Sequence, residues 1–126
     1  MDEFYETGMK TRREVLGDEH VERAAASAGA FGAPFQELIT RYAWGGPWSR
    51  PGLDRRTRSA ITLAALVSVR AEQELAMHVR AALGNGLTPD EIAEVLLHTA
   101  IYAGVPAANT AFAIARQVLQ EEGALE

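Results

Sequence analysis

The segment ELAMHVRAALGNGLTPDEIAEVLLHTAIYAGVPAAN, residues 74–109, decides the fold class of this chain. Its punctuation is helical. Gly84-Asn85-Gly86 supplies residues that tolerate left-handed dihedrals and so ends one helix. Thr88-Pro89-Asp90-Glu91 starts the next: a threonine at the cap, a glutamate three residues on, and a proline in the first turn, where a missing N–H is harmless. Gly104 and Pro106 mark a further boundary in the same manner. Outward from this segment there is no run of alternating β-branched residues, no internal repeat and no low-complexity tract. Helices are predicted over about 2–16, 18–28, 33–43, 55–69, 71–84, 89–103 and 105–122, with one long irregular segment, 44–54. The expectation is an all-α, single-domain bundle of six to seven helices over residues 1–126, in which 1–17 forms an N-terminal helical extension.

Size and composition bound the function. A chain of 126 residues buries roughly two thirds of the surface it exposes when unfolded, enough for one core. It contains no cysteine, which excludes disulfides, thiolate metal sites, a redox dithiol and a cysteine nucleophile. The longest apolar run, AITLAALVSV, is about half of the roughly 20 residues a membrane span needs. With no basic start leading into an apolar core at the N-terminus, the chain reads as soluble and cytoplasmic, with no membrane partner.

Charge is unevenly placed. The net charge is −5, against the usual basic character of nucleic-acid binders, and no nucleic-acid partner is expected. Between Arg41 and Arg58, however, five arginines (Arg41, Arg50, Arg55, Arg56, Arg58) face one acid, Asp54, a local +4 that leaves −9 for the remainder. A basic patch on an acidic protein suits a small anion better than a polyanion.

That patch lies in FQELITRYAWGGPWSRPGLDRRTRS, residues 35–59. Phe35, Leu38, Ile39 and Tyr42 recur at i, i+3, i+4 and i+7 and are read as a core-facing stripe. Trp44 and Trp48 flank Gly45-Gly46-Pro47, where glycine allows close backbone approach and proline stiffens the turn; each tryptophan either anchors the loop or lines a pocket. Asp54 is a good N-cap, yet Arg55-Arg56-Thr57-Arg58 follows it, and cations at a helix N-terminus oppose the macrodipole. Either neighbouring acids neutralise these arginines or a bound anion does so, with backbone N–H groups and guanidinium forks converging on it. Arg50, in the loop, is the foremost candidate.

Two helices are apolar on several sides. Ile61, Leu63, Leu66, Val67 and Val69 surround helix 55–69, and the alanine-rich helix 105–122 carries Phe112, Ile114, Val118 and Leu119. Faces in such excess need covering, so a homo-oligomer assembled through helix faces is expected.

Glu74 and His78 are four residues apart on one helix face. The carboxylate can bond one ring nitrogen and leave the other to exchange a proton, an acid/base device, although an exposed pair at this spacing is usually only solvated. His98 lies with Glu91 and Glu94 on a polar side, and His20 reads as a surface residue. No His/Asp/Glu grouping has metal-ligand spacing, so no metal is expected, and there is neither a glycine-rich phosphate loop nor a nucleophile elbow.

The arginine and tryptophan stretch, followed by ITLAALV and residues 74–109, resembles the 4-carboxymuconolactone decarboxylases, within the alkylhydroperoxidase-D-like superfamily. The resemblance runs from about residue 18 to 119. Thiol-dependent relatives carry C-x-x-C with the second cysteine four residues before the histidine matching His78; those positions here are Ala71 and Glu74, so thiol peroxidase chemistry is untenable. The resemblance implies an oligomer, a trimer or a ring of about six subunits, and a carboxy-lyase of the protocatechuate branch of aromatic catabolism, the β-ketoadipate pathway. The implied reaction converts 4-carboxymuconolactone, a dicarboxylate lactone, to the 4-oxoadipate enol-lactone and carbon dioxide.

The implied reaction needs no cofactor, because electrons released with carbon dioxide pass through the conjugated double bond into the lactone carbonyl. It does need a clamp for the retained carboxylate, for which Arg50, Arg41, Arg55 and Arg58 are the candidates. It also needs a proton donor and stabilisation of the developing oxyanion, and His78 held by Glu74 is the candidate for either. The departing carboxylate must lose its charge, so it is expected to face Trp44, Trp48, Tyr42 or Glu74 and not an arginine. The other readings are a decarboxylase or isomerase of another small lactone acid, and a non-enzymatic oligomeric binding protein of the same fold.

Overall fold

A computed structural model describes residues 2–126. Six α-helices follow one another: α1 (Glu3–Leu16), α2 (Asp18–Ile39), α3 (Arg55–Ser68), α4 (Glu72–Gly84), α5 (Pro89–Ala103) and α6 (Val105–Glu121). The described residues contain no strand, and the all-α reading holds. The chain divides into two compact units, Met1–Leu53 and Asp54–Glu126.

In the first unit Asp2 caps α1, its Oδ1 accepting from the Tyr5 amide at 2.9 Å. Gly17, at φ 91°, turns the chain directly into α2. A break was expected after residue 28 and is found at Gly29 (φ 57°, ψ −161°), backbone that a residue bearing Cβ resists. Helix resumes at once, earlier than position 33, and carries Pro34 inside it, at the cost of the hydrogen bond an N–H there would make to the Ala30 carbonyl. The segment after Ile39 is more regular than expected. Thr40–Trp44 forms a π-helical turn, closed by the Gly45 amide donating to the Thr40 carbonyl at 2.8 Å, and Pro47–Ser49 forms a 3₁₀ turn.

The Phe35, Leu38, Tyr42 stripe is corrected here. Phe35, Leu38 and Tyr42 are exposed, Tyr42 at 77%, and only Ile39 is partly covered. The buried member of this region is Thr40, which meets Arg12 of α1. Apolar spacing correctly gave an amphipathic helix, but spacing carries no information on what covers the face.

In the second unit, α3 packs against α4 and α5, and α6 packs against α4 and α5. The core joins Leu63 and Val67 of α3, Leu75 and Val79 of α4, and Ile92 and Leu96 of α5 to the small face of α6, where Ala107, Ala111 and Ala115 let the helices approach closely. The three signalled boundaries form as expected. Thr88 Oγ1 accepts from the Glu91 amide at 3.1 Å while Glu91 Oε1 accepts from the Thr88 amide at 2.9 Å, completing a capping box. Ile61, Leu97, Ile101, Tyr102 and Val105 remain exposed. Among the described residues no helix is long and apolar enough to cross a membrane.

Candidate functional site

The basic stretch divides between the two units. In the first, the π-turn places Trp44 inside and brings the half-buried Trp48 onto it, with ring centroids 5.0 Å apart and planes inclined by 28°. An offset stack of this kind adds about 0.5–1.5 kcal/mol beyond area burial. Ser49 secures the turn: its hydroxyl donates to the Trp44 carbonyl at 2.5 Å. A hydroxyl has one hydrogen, so at the 2.8 Å contact between Thr11 and Ser49 the Thr11 hydroxyl is the donor. The Thr11–Ser49 bond ties this turn to α1.

Arg50 follows this anchored turn in extended conformation, its amide donating to the Pro47 carbonyl at 3.1 Å. It lines an open cleft of about 280 Å³ with Glu3, Phe4, Thr7, Gly45, Gly46 and Ser49. Arg41 pairs with Asp2 and Glu37, each at 3.0 Å. Tyr42 stands on the exposed side of the same turn.

In the second unit Asp54 caps α3, its Oδ1 accepting from the Thr57 amide at 2.7 Å, and this bond holds the Asp54 carboxyl below its usual range. Arg56, in the first turn, is paired within its own unit. Its guanidinium donates to the Gly86 carbonyl and forks onto Glu91, whose pKa falls to about 2 mainly through this bond and the Thr88 amide. Glu91 thus serves two helix starts: it completes its own capping box and offsets the cation that opposes the α3 dipole. Of the two explanations for a basic first turn, neutralisation by a neighbouring acid applies to Arg56. Arg55 and Arg58 are partly buried in the same turn.

His78 and Glu74 both lie on α4, one turn apart. His78 is buried, with 7% of its surface exposed, between the core residues Leu75 and Val79 in sequence; Glu74 is exposed in the first turn. His98 is exposed with its ring 5.4 Å from Tyr102, and His20 is partly exposed. Among the described residues no three acidic or histidine side chains are grouped as a metal site.

Comparison with known proteins decides the family. The model of the carboxymuconolactone decarboxylase family matches residues 33–117. The chain belongs to this family. It is 47% identical over 119 residues to a 4-carboxymuconolactone decarboxylase of Acinetobacter baylyi, covering 94% of this chain and 89% of that protein. It is 44% identical over 118 residues to a nitrosuccinic acid decarboxylase of Metarhizium robertsii, covering 94% and 82%. A 4-carboxymuconolactone decarboxylase sequence from Pseudomonas putida is 51% identical over 41 residues, 32% of this chain and 85% of that sequence. The family match takes in Arg41, Arg50, Arg55, Arg58, Glu74 and His78.

The sequence reading passed over Arg12 and Ser59. Arg12 sits in KTRRE, a polar stretch indistinguishable from a solvated helix face, and is buried against Thr40 and Gln36. Ser59 is buried and accepts from Asn85 Nδ2 at 2.9 Å, tying α3 to the Gly84-Asn85-Gly86 turn. No local signal distinguishes either residue, because each is defined by a partner at least 24 positions away.

Proposed function

We propose that this protein is a carboxy-lyase that decarboxylates 4-carboxymuconolactone to the 4-oxoadipate enol-lactone. The observation that carries the reading is the 47% identity to the Acinetobacter enzyme across 94% of the chain. The ring carboxylate leaves as carbon dioxide. The electron pair of the broken C–C bond enters the ring, shifts the conjugated double bond and comes to rest on the lactone carbonyl oxygen. A proton delivered to the carbon beside that carbonyl then gives the enol-lactone, so one proton is consumed for each carbon dioxide released. The name of the Metarhizium relative describes a nitro acid, in which a nitro group can likewise accept the electron pair. Decarboxylation of acids that carry their own electron sink is chemistry common to both names.

The roles proposed for individual residues follow from charge. Arg50 holds the retained carboxylate, since a planar guanidinium fixes a carboxylate in one orientation. Arg55 and Arg58 add positive potential at the start of α3, which steers a dianionic substrate. His78, with Glu74 one turn away, supplies the proton, a contribution of about 10²–10⁴-fold. The soluble, cytoplasmic, homo-oligomeric character expected from the sequence belongs to the same proposal.

The test is release of carbon dioxide and loss of lactone from 4-carboxymuconolactone, generated in place by a cycloisomerase, with nitrosuccinate as the comparison substrate. Turnover of the lactone with a clear preference over nitrosuccinate supports the reading. Turnover of nitrosuccinate alone, or none from folded protein, overturns it.

A further inference from the structure

Arg12 is the least expected charged residue in the first unit. Its sequence neighbour Arg13 is partly exposed and pairs with Asp18 at 3.1 Å and Glu22 at 3.7 Å. Arg12, only 4% exposed, meets neutral oxygens: Nη1 donates to Thr40 Oγ1 at 3.1 Å and Nη2 to Gln36 Oε1 at 2.8 Å. Thr40 passes its own hydrogen to the Gln36 carbonyl at 2.7 Å. Among the described residues Arg12 Nε has no hydrogen-bond partner and no carboxylate stands within ion-pair distance of the guanidinium. Burial depresses the basicity of this group, the largest influence on it. An arginine removed from water without a counter-charge is expensive, and a guanidinium has five donors for the two neutral acceptors found here.

The same side chain lines an open-sided pocket of about 240 Å³ within the first unit, walled by α1 and α2. The other walls are mainly apolar: Met9, Val21, Ala25, Ala28 and Ala33, with Tyr5 beside them. The one acid on the lining, Glu37, is already paired with Arg41 at 3.0 Å. The cavity therefore presents one uncompensated positive charge at an apolar hollow, and its volume is below the roughly 300–1,000 Å³ of sites for larger ligands.

We propose that this cavity is a binding site for a small monocarboxylate with an apolar body, its carboxylate on Arg12 and its body against the small side chains of α2. One cation sets the ligand charge at −1, and the alanines set a compact body of ring or short-chain size. The site lies wholly within the first unit and is separate from the roles given to Arg50 and His78. Its ligand is an effector or product-like acid and not the dicarboxylate lactone.

Met9 gives a local readout. Protein labelled with ¹³C at the methionine methyl groups is titrated with benzoate, and with benzyl alcohol as the neutral counterpart. The expected result is a saturable shift of the Met9 resonance with benzoate at least tenfold tighter than with benzyl alcohol, and no matching shift of Met77. Ala25→Phe, which fills the rim of the cavity and leaves Arg12 in place, abolishes the Met9 response while decarboxylase activity persists; Arg12→Met does the same where it folds. Equal binding of acid and alcohol, a response that survives Ala25→Phe, or no Met9 shift with benzoate at about 10 mM would overturn the proposal.

Discussion

Gly8 and Thr40 meet backbone to backbone: a Cβ built on Gly8 would stand 2.1 Å from the Thr40 carbonyl oxygen and 2.8 Å from the Gly45 amide nitrogen. Gly45 makes the reciprocal approach, where a Cβ would stand 2.5 Å from the Phe4 carbonyl oxygen. Helix α1 is thus seated directly on the π-turn, and Arg12, Thr11 and Ser49 tie the two together at that closeness.

The sign of Gly8→Ala follows from this contact. In an open helix the change would stabilise by about 1 kcal/mol through helix propensity. Here the listening atoms are backbone and cannot rotate away, so a loss of about 3 kcal/mol or more is expected. Urea denaturation measures it, and a variant as stable as the parent would show that α1 does not sit on the π-turn as described.

Arg70 is the one non-glycine residue among those described with positive φ, at 62°, in the corner between α3 and α4. A left-handed conformation costs a residue bearing Cβ about 1–2 kcal/mol, partly offset in glycine by its looser unfolded chain. Arg70→Gly should therefore raise stability by up to about 1 kcal/mol, a few degrees in Tm, visible by differential scanning calorimetry. A lower Tm would mean that the Arg70 side chain contributes more than its backbone loses.

Stability toward acid should depend on Glu91. Its carboxyl is depressed from 4.5 to about 2 in the folded protein. A depressed carboxylate adds stability above its unfolded pKa, and that contribution disappears as pH falls through the folded value. The parent should lose stability between about pH 4.5 and 2 that Glu91→Gln, which keeps an acceptor for the Thr88 amide, never had. Tm curves for the two proteins should converge across that window; parallel curves would remove Glu91 as a source of acid sensitivity.

Kinetics should separate the roles proposed for Arg50 and His78. Arg50→Met, at an exposed loop position, should raise KM about tenfold with kcat little changed, as expected when binding shared by ground and transition states is lost. His78→Ala should lower kcat by about 10²-fold or more. Because His78 is buried, the measurement needs His78→Gln alongside it as a packing control, with Tm recorded for each. If both parameters stay within about twofold in both variants, the assignment fails.

The elements of this protein were legible in its sequence because their causes are local. The Thr88/Glu91 capping box, the Asp54 cap, Gly17, Gly29 and Gly104 each act within a few residues, so helix starts and stops were placed nearly where they are found. The family signature was legible for the same reason: Trp44, Trp48, the arginines and His78 lie in one continuous stretch. What only the tertiary structure decided was which side of each helix is covered and which charge meets which. Phe35, Leu38 and Tyr42 have core spacing and lie exposed, while Arg12, in a run that reads as solvated, is buried against Thr40. Periodicity specifies that a helix has two faces; burial depends on chain far away in sequence, as does the choice of Glu91, 35 residues on, as the partner of Arg56.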